Sequence, residues 1–119
     1  HPNPNVKKHK DVLKHVVVIE PLKHNELLEI LIKTRLVITD SGGLQEECSF
    51  FKKKCLVCRK VTERPESVGS TSFLINEPSD LNDKFYKHIK NYEINNDCPF
   101  GNGNSSQNIV KVLKTFTYY

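Results

Sequence analysis

Apolar positions along the chain alternate between two spacings. Short β-branched runs mark strands. His15-Val16-Val17-Val18-Ile19-Glu20 is too short and too β-branched for a helix, and it reads as a strand buried on both faces, as in a parallel sheet. Val37 to Thr39, Cys55 to Cys58 and Thr71 to Ile75 predict three further strands. Between them the apolar spacing is helical. Val6, Lys10 and Leu13 share one face of a short helix over Val6 to Leu13. Leu27, Leu28, Ile30 and Leu31 form the stripe of a helix over Glu26 to Thr34 that Asn25 can cap. Leu44, Cys48 and Phe51 recur at i, i+4 and i+7, and Leu81, Phe85, Ile89 and Tyr92 follow a capping Ser79. A last helix starts at Ser105 or Ser106 and turns Ile109, Val112, Leu113 and Phe116 inward. This alternation predicts an α/β fold, a Rossmann-like parallel sheet flanked by helices and built of right-handed βαβ units. Ligands on such sheets bind beyond the carboxyl ends of the strands.

Size and composition narrow the picture. A chain of 119 residues makes one domain at most. It contains no methionine and begins His1-Pro2-Asn3-Pro4, so we read it as a piece of a longer protein. Its apolar runs are too short for a membrane span, and His1 to Lys14 lacks the apolar centre of a signal peptide. Four cysteines (Cys48, Cys55, Cys58, Cys98) among apolar strands and helices do not form a disulfide framework, and a reduced, cytoplasmic setting is expected. The net charge of +4 is modest. The basic runs Lys7-Lys8-His9-Lys10 and Lys52-Lys53-Lys54 contain no arginine, and the first has no interleaved aromatic, so a solvated face is expected there in place of a nucleic-acid partner.

The chemistry concentrates in Val37 to Glu47, VITDSGGLQEE. The strand stops at Asp40, Ser41-Gly42-Gly43 turn the backbone, and a helix begins at Leu44. The first N–H groups of a helix lack partners within it and its dipole is positive there, so this junction suits a phosphate. From spacing alone, Ser41-Gly42-Gly43 reads equally as a diphosphate cradle and as an ordinary βα turn. Glu47 lies on the same face as Gly43 and leans back toward the turn, where a carboxylate can accept hydrogen bonds from a ribose diol. Acids early in a helix also simply suit its dipole, and the residues leave that alternative open. Thr62 to Glu66 is a polar turn or, at the carboxyl end of a strand, an arginine grip for an anion. Cys55 and Cys58 face opposite sides of a strand and cannot chelate together, and His1, His9, His15, His24 and His88 show no metal-ligand spacing, so no metal and no cofactor is expected. His9, His15, His24 and His88 are expected at the surface or at element ends.

In this order and spacing His1-Pro2-Asn3-Pro4-Asn5-Val6, Thr39-Asp40-Ser41-Gly42-Gly43-Leu44-Gln45-Glu46-Glu47, Thr62-Glu63-Arg64-Pro65-Glu66 and Pro99-Phe100-Gly101-Asn102-Gly103 resemble the C-terminal region of the non-hydrolysing UDP-N-acetylglucosamine 2-epimerases. The resemblance implies the glycosyltransferase-B architecture, two Rossmann-like domains with the nucleotide sugar between them. Residues 1–119 would be a partial C-terminal nucleotide-sugar-binding domain, with the N-terminal domain absent from this chain. The implied activity is that of an isomerase, inversion at C2 of a UDP-acetamido sugar by elimination and re-addition of UDP. The alternatives are a binding-only or regulatory nucleotide-sugar module and a glycosyltransferase of the same architecture.

By the same resemblance Ser41, Gly42 and Gly43 would hold the diphosphate and Glu47 the ribose hydroxyls. His1 would lie near the phosphates as the one catalytic candidate, and Arg64 would shape the ligand loop. The acid/base carboxylates would belong to the missing domain, so the piece would bind a UDP-sugar without turning it over. The longer protein would be a homodimer. Lys60-Val61 stand where the family usually has Asp-Thr, Asn102 where Asp is usual, Asn108 where an Arg is common, and Lys23-His24 in place of an aromatic segment. These departures touch base and sugar recognition and leave the phosphate and ribose positions unchanged.

Overall fold

The computed structural model of the chain describes residues 3–116, which fall into two compact units, one up to Ile30 and one from Leu31 on. In the first unit, Asn3 caps helix α1 (Pro4–Lys7) by accepting the Asn5 N–H at 2.9 Å, and a 3-10 turn follows at Lys10–Leu13. The single helix expected over Val6 to Leu13 is thus two short turns. Val16 to Ile19 form no strand, and Val17 is 90% exposed. The buried strand expected there is corrected for a simple reason. A strand needs a neighbour for its N–H and C=O groups, and the sheet among the described residues has three strands, none of which is this run.

Helix α2 (His24–Lys33) begins where Glu26 returns its carboxylate to the Lys23 N–H at 2.9 Å, a capping-box contact in place of an Asn25 cap. Leu31 is the one residue of its stripe that is fully buried.

The second unit is built on strands β1 (Leu36–Thr39), β2 (Lys54–Val57) and β3 (Ser72–Leu74), parallel and in the order β1-β2-β3. Helix α3 (Gly42–Phe50) links β1 to β2. The connection from β2 to β3 carries only a 3-10 turn at Pro65–Ser67. Central β2 is buried along its whole length, and Cys48, Cys55, Leu56, Val57 and Ile75 make the core with Leu31. Core serines and threonines pair with one another: Ser49 with Thr71 at 3.1 Å, Ser67 with Ser72 at 2.8 Å. Among the described residues no buried side-chain polar atom lacks a partner.

The register pairs Thr39 with Val57 and Val57 with Leu74, so the carboxyl ends of all three strands line up along one edge. From that edge emerge Asp40–Ser41, the segment from Cys58 to Arg64, and Ile75–Asn76.

Helix α4 (Asp80–Lys90) follows, without a side-chain cap from Ser79. It brings His88 against Phe73, the two rings stacked with centroids 3.7 Å apart. His88 therefore stands at an element end, in the last turn of α4, as one of the two expected placements has it, but is buried and not at the surface. Lys54 and Lys84 donate to the Asn91 and Leu74 carbonyls, which lets two ammonium groups sit partly buried beside β3. Helix α5 (Ser105–Phe116) forms where the spacing places it, but Ile109, Val112, Leu113 and Phe116 are all exposed, Phe116 by 71%. Helical periodicity reveals an apolar face, not what covers it, and no described element covers this one. Among the described residues no helix is long and apolar enough to cross a membrane.

Candidate functional site

Strand β1 hands the chain to α3 in two residues. The Thr39 hydroxyl accepts the Ser41 N–H at 3.0 Å, Ser41 itself is extended, and its Oγ accepts the Leu44 N–H at 3.4 Å as the helix cap. Gly42 and Gly43 are then the first two residues of α3, so the glycine turn expected before a helix at Leu44 is corrected. Neither has a positive φ; Gly69, Gly101 and Gly103 do. No left-handed turn requires the glycines here, and a Cβ at either would meet its neighbours only at ordinary van der Waals distance. A Cβ on Gly42 would lie 3.7 Å from a Glu63 carboxylate oxygen and 3.9 Å from Arg64 Cζ. The first N–H groups of α3 come from these two residues, which have no side chain between the backbone and an arriving anion.

The loop after β2 folds over this helix end. Arg59 grips both carboxylate oxygens of Glu63 at 2.7 and 2.9 Å. Arg64 donates from Nε to Glu46 and from Nη1 to the Glu63 carbonyl at 3.1 Å. Glu63 is held below the usual carboxylate range, first by its own backbone N–H and then by Arg59. Arg64 is pushed further toward the charged form by the Glu46 carboxylate. The two cations are therefore each matched to an acid, and a diphosphate arriving at α3 would draw on Arg64 in competition with Glu46. Cys58, one residue past β2, is exposed, yet partial desolvation of its sulfur and then the Asp40 carboxylate push its thiol up, which suits a protonated thiol and not a nucleophile.

The structure thus brings Ser41, Gly42, Gly43 and Arg64 to one place. Glu47 sits half-buried one turn further along α3. His1 lies outside the described residues. Cys55 is fully buried on β2, and Cys58 lies exposed one residue past the end of that strand.

The residue that sequence reasoning missed is Gln45, fully buried beneath the turn. Its amide donates to the Ser41 carbonyl at 3.2 Å and accepts from the Thr62 hydroxyl at 2.7 Å. The buried face of α3 is Gln45, Cys48 and Ser49, one position over from the Leu44, Cys48 and Phe51 stripe expected. The available signal was the i, i+4 spacing of Ser41 and Gln45, which places a side-chain amide directly behind the cap.

A parallel-sheet α/β unit with an open helix N-terminus and an arginine loop at the strands' carboxyl ends defines the class of nucleotide-binding α/β folds. The comparisons give the family. The profile described as UDP-N-acetylglucosamine 2-epimerase matches residues 1–114. The UDP-N-acetylglucosamine 2-epimerase of Methanocaldococcus jannaschii is 37% identical over 101 residues, covering 84% of this chain and 28% of that protein. The Campylobacter jejuni enzyme of that name is 34% identical over 129 residues, covering 95% of this chain and 32% of the relative. Among solved structures, the Neisseria meningitidis UDP-GlcNAc 2-epimerase bound to UDP-GlcNAc matches with a TM-score of 0.79 at 36% identity, over 97% of this chain and 34% of that one. The M. jannaschii enzyme in complex with UDP-GlcNAc and UDP matches with a TM-score of 0.80 at 35% identity, over 97% and 34%. The chain belongs to the UDP-N-acetylglucosamine 2-epimerase family, with the α/β fold of these glycosyltransferase-B-type proteins. It spans about a third of the length of the relatives it matches.

Proposed function

We propose that this chain is the UDP-binding part of a UDP-N-acetylglucosamine 2-epimerase, in a C-terminal domain whose partner domain supplies the acid/base carboxylates. The observation that carries the reading is the Arg64 loop lying over the open N-terminus of α3. In this assignment the Gly42 and Gly43 N–H groups and the Ser41 hydroxyl hold the diphosphate. The hydroxyl already accepts from Leu44, which leaves its proton to donate. Arg64 faces the charge that develops on UDP as the C1–oxygen bond breaks, and donors fixed at that position stabilise the leaving group. Glu47 accepts from the ribose hydroxyls, and His1 approaches the phosphates. The longer protein works in the cytoplasm as a homodimer on a UDP-acetamido sugar.

Calorimetric titration of UDP tests the site directly. Binding is expected, and Glu47→Gln should weaken it by roughly 1.5–3 kcal/mol, the value of hydrogen bonds to a charged group. A folded protein that gives no heat with UDP overturns the phosphate and ribose assignments together. Product analysis of the full-length protein with UDP-N-acetylglucosamine then separates epimerisation from sugar transfer and from binding alone.

A further inference from the structure

We propose that Gln45 and Thr62 are positioning residues that lock the Arg64 loop to the anion-binding turn, so that the arginine and the helix N-terminus meet the diphosphate as one preformed unit. The proposal rests on the assignment of the diphosphate to Ser41, Gly42 and Gly43. A continuous chain of hydrogen bonds carries it. The Gln45 amide nitrogen donates to the Ser41 carbonyl at 3.2 Å, and its oxygen accepts from the Thr62 hydroxyl at 2.7 Å. The same hydroxyl accepts the Arg64 backbone N–H at 3.1 Å. Ser41, which caps the helix, and Arg64, which lies over it, are therefore joined through two intervening side chains.

The residue types are specific to this task. A side-chain amide donates to the Ser41 carbonyl from its nitrogen and accepts from the Thr62 hydroxyl at its oxygen, spanning the two partners with separate atoms and without a change of protonation state. Packing alone would be served by an apolar residue of the same volume, because Gln45 is 0% exposed and a buried amide is costly unless both ends are satisfied. The lock holds the backbone of Arg64, while its guanidinium is aimed by Glu46 and the Glu63 carbonyl. Two of its five N–H donors take part in those contacts, and the others remain for a ligand phosphate. Fixing the arginine beforehand lowers the ordering cost of binding and keeps the donor in place as charge grows on the leaving group.

The test is a double-mutant cycle in the full-length protein, read by UDP calorimetry with thermal unfolding measured in parallel. Arg64→Gln in the otherwise unaltered protein should weaken UDP binding by about tenfold or more. Gln45→Met, which keeps the volume and loses both hydrogen bonds, and Thr62→Val, which keeps the shape and loses the hydroxyl, should each weaken it by about tenfold. In either background Arg64→Gln should add less than about twofold, because the arginine has already lost its place. Thr62→Ser should restore binding. Thr62 is only half-buried, so its variants keep the test open if Gln45→Met does not fold. An Arg64→Gln effect of the same size in all backgrounds overturns the positioning role and leaves the UDP site standing. Absence of UDP binding to the unaltered protein removes the site assignment itself.

Discussion

Buried polar side chains decide most of what is particular about this chain. Gln45 and His88 both stand where helical spacing expects apolar or exposed residues, and both are inside because a partner satisfies or covers them. His88 has a consequence that can be measured. Burial, and then the positive charges of Lys54, Lys87 and Lys84, hold its imidazole below the ordinary value of 6.5. The folded chain resists the proton that the unfolded chain accepts, so the unfolded state binds more protons as the medium acidifies. The stability that neutral His88 contributes is complete above about pH 6.5 and is lost as the pH falls from there to the lower folded value. Urea unfolding between about pH 7.5 and about pH 5.5 should show a declining midpoint, and His88→Gln should flatten that decline. A midpoint that is level across this window in the unaltered chain refutes it. Glu63 acts in a separate window, because its depressed carboxyl loses its contribution only on acidification below the ordinary 4.5.

At the scale of elements, the strands and α3 were legible because local signals agree with the tertiary result. β1 and β2 lie within a residue of the runs that predicted them, since a short apolar run bounded by polar residues suits a strand. The helix of the site begins two residues earlier than its composition suggests, because glycines with ordinary helical backbone are tolerated at a capped N-terminus. Burial then ranks the strands. Leu56 on β2 is fully buried, whereas Ile38 on β1 is about half exposed. Leu56→Ala should destabilise the chain by about 2–5 kcal/mol, the range for a core leucine that leaves a cavity. Ile38→Ala should cost less than about 1 kcal/mol. Denaturant unfolding of the two variants checks the order, and equal losses contradict a core centred on β2.

At the scale of the whole molecule, apolar surface stands open on α5, through Ile109, Val112, Leu113 and Phe116, and along Val16 to Ile19. Contiguous apolar surface of this kind drives association. Sedimentation velocity across a concentration series should show the 119-residue chain self-associating, and the pair Ile109→Lys and Leu113→Lys should reduce it. A monomer at every concentration without those substitutions overturns the expectation. What the sequence by itself determined is local: the βα junction at Asp40 to Leu44, the alternation that makes an α/β fold, and the family signature that runs from the first residues to about Leu113. Each depends on neighbours a few positions apart, where propensity and capping act. Only the tertiary structure decided which faces are covered. Among the described residues it left Val16 to Ile19 without a strand to pair with, left the α5 stripe exposed and put His88 inside. It also joined Ser41 to Arg64 through Gln45 and Thr62. Those outcomes depend on contacts between segments far apart in the chain, and periodicity, which records only that a face is apolar, carries no information about its partner.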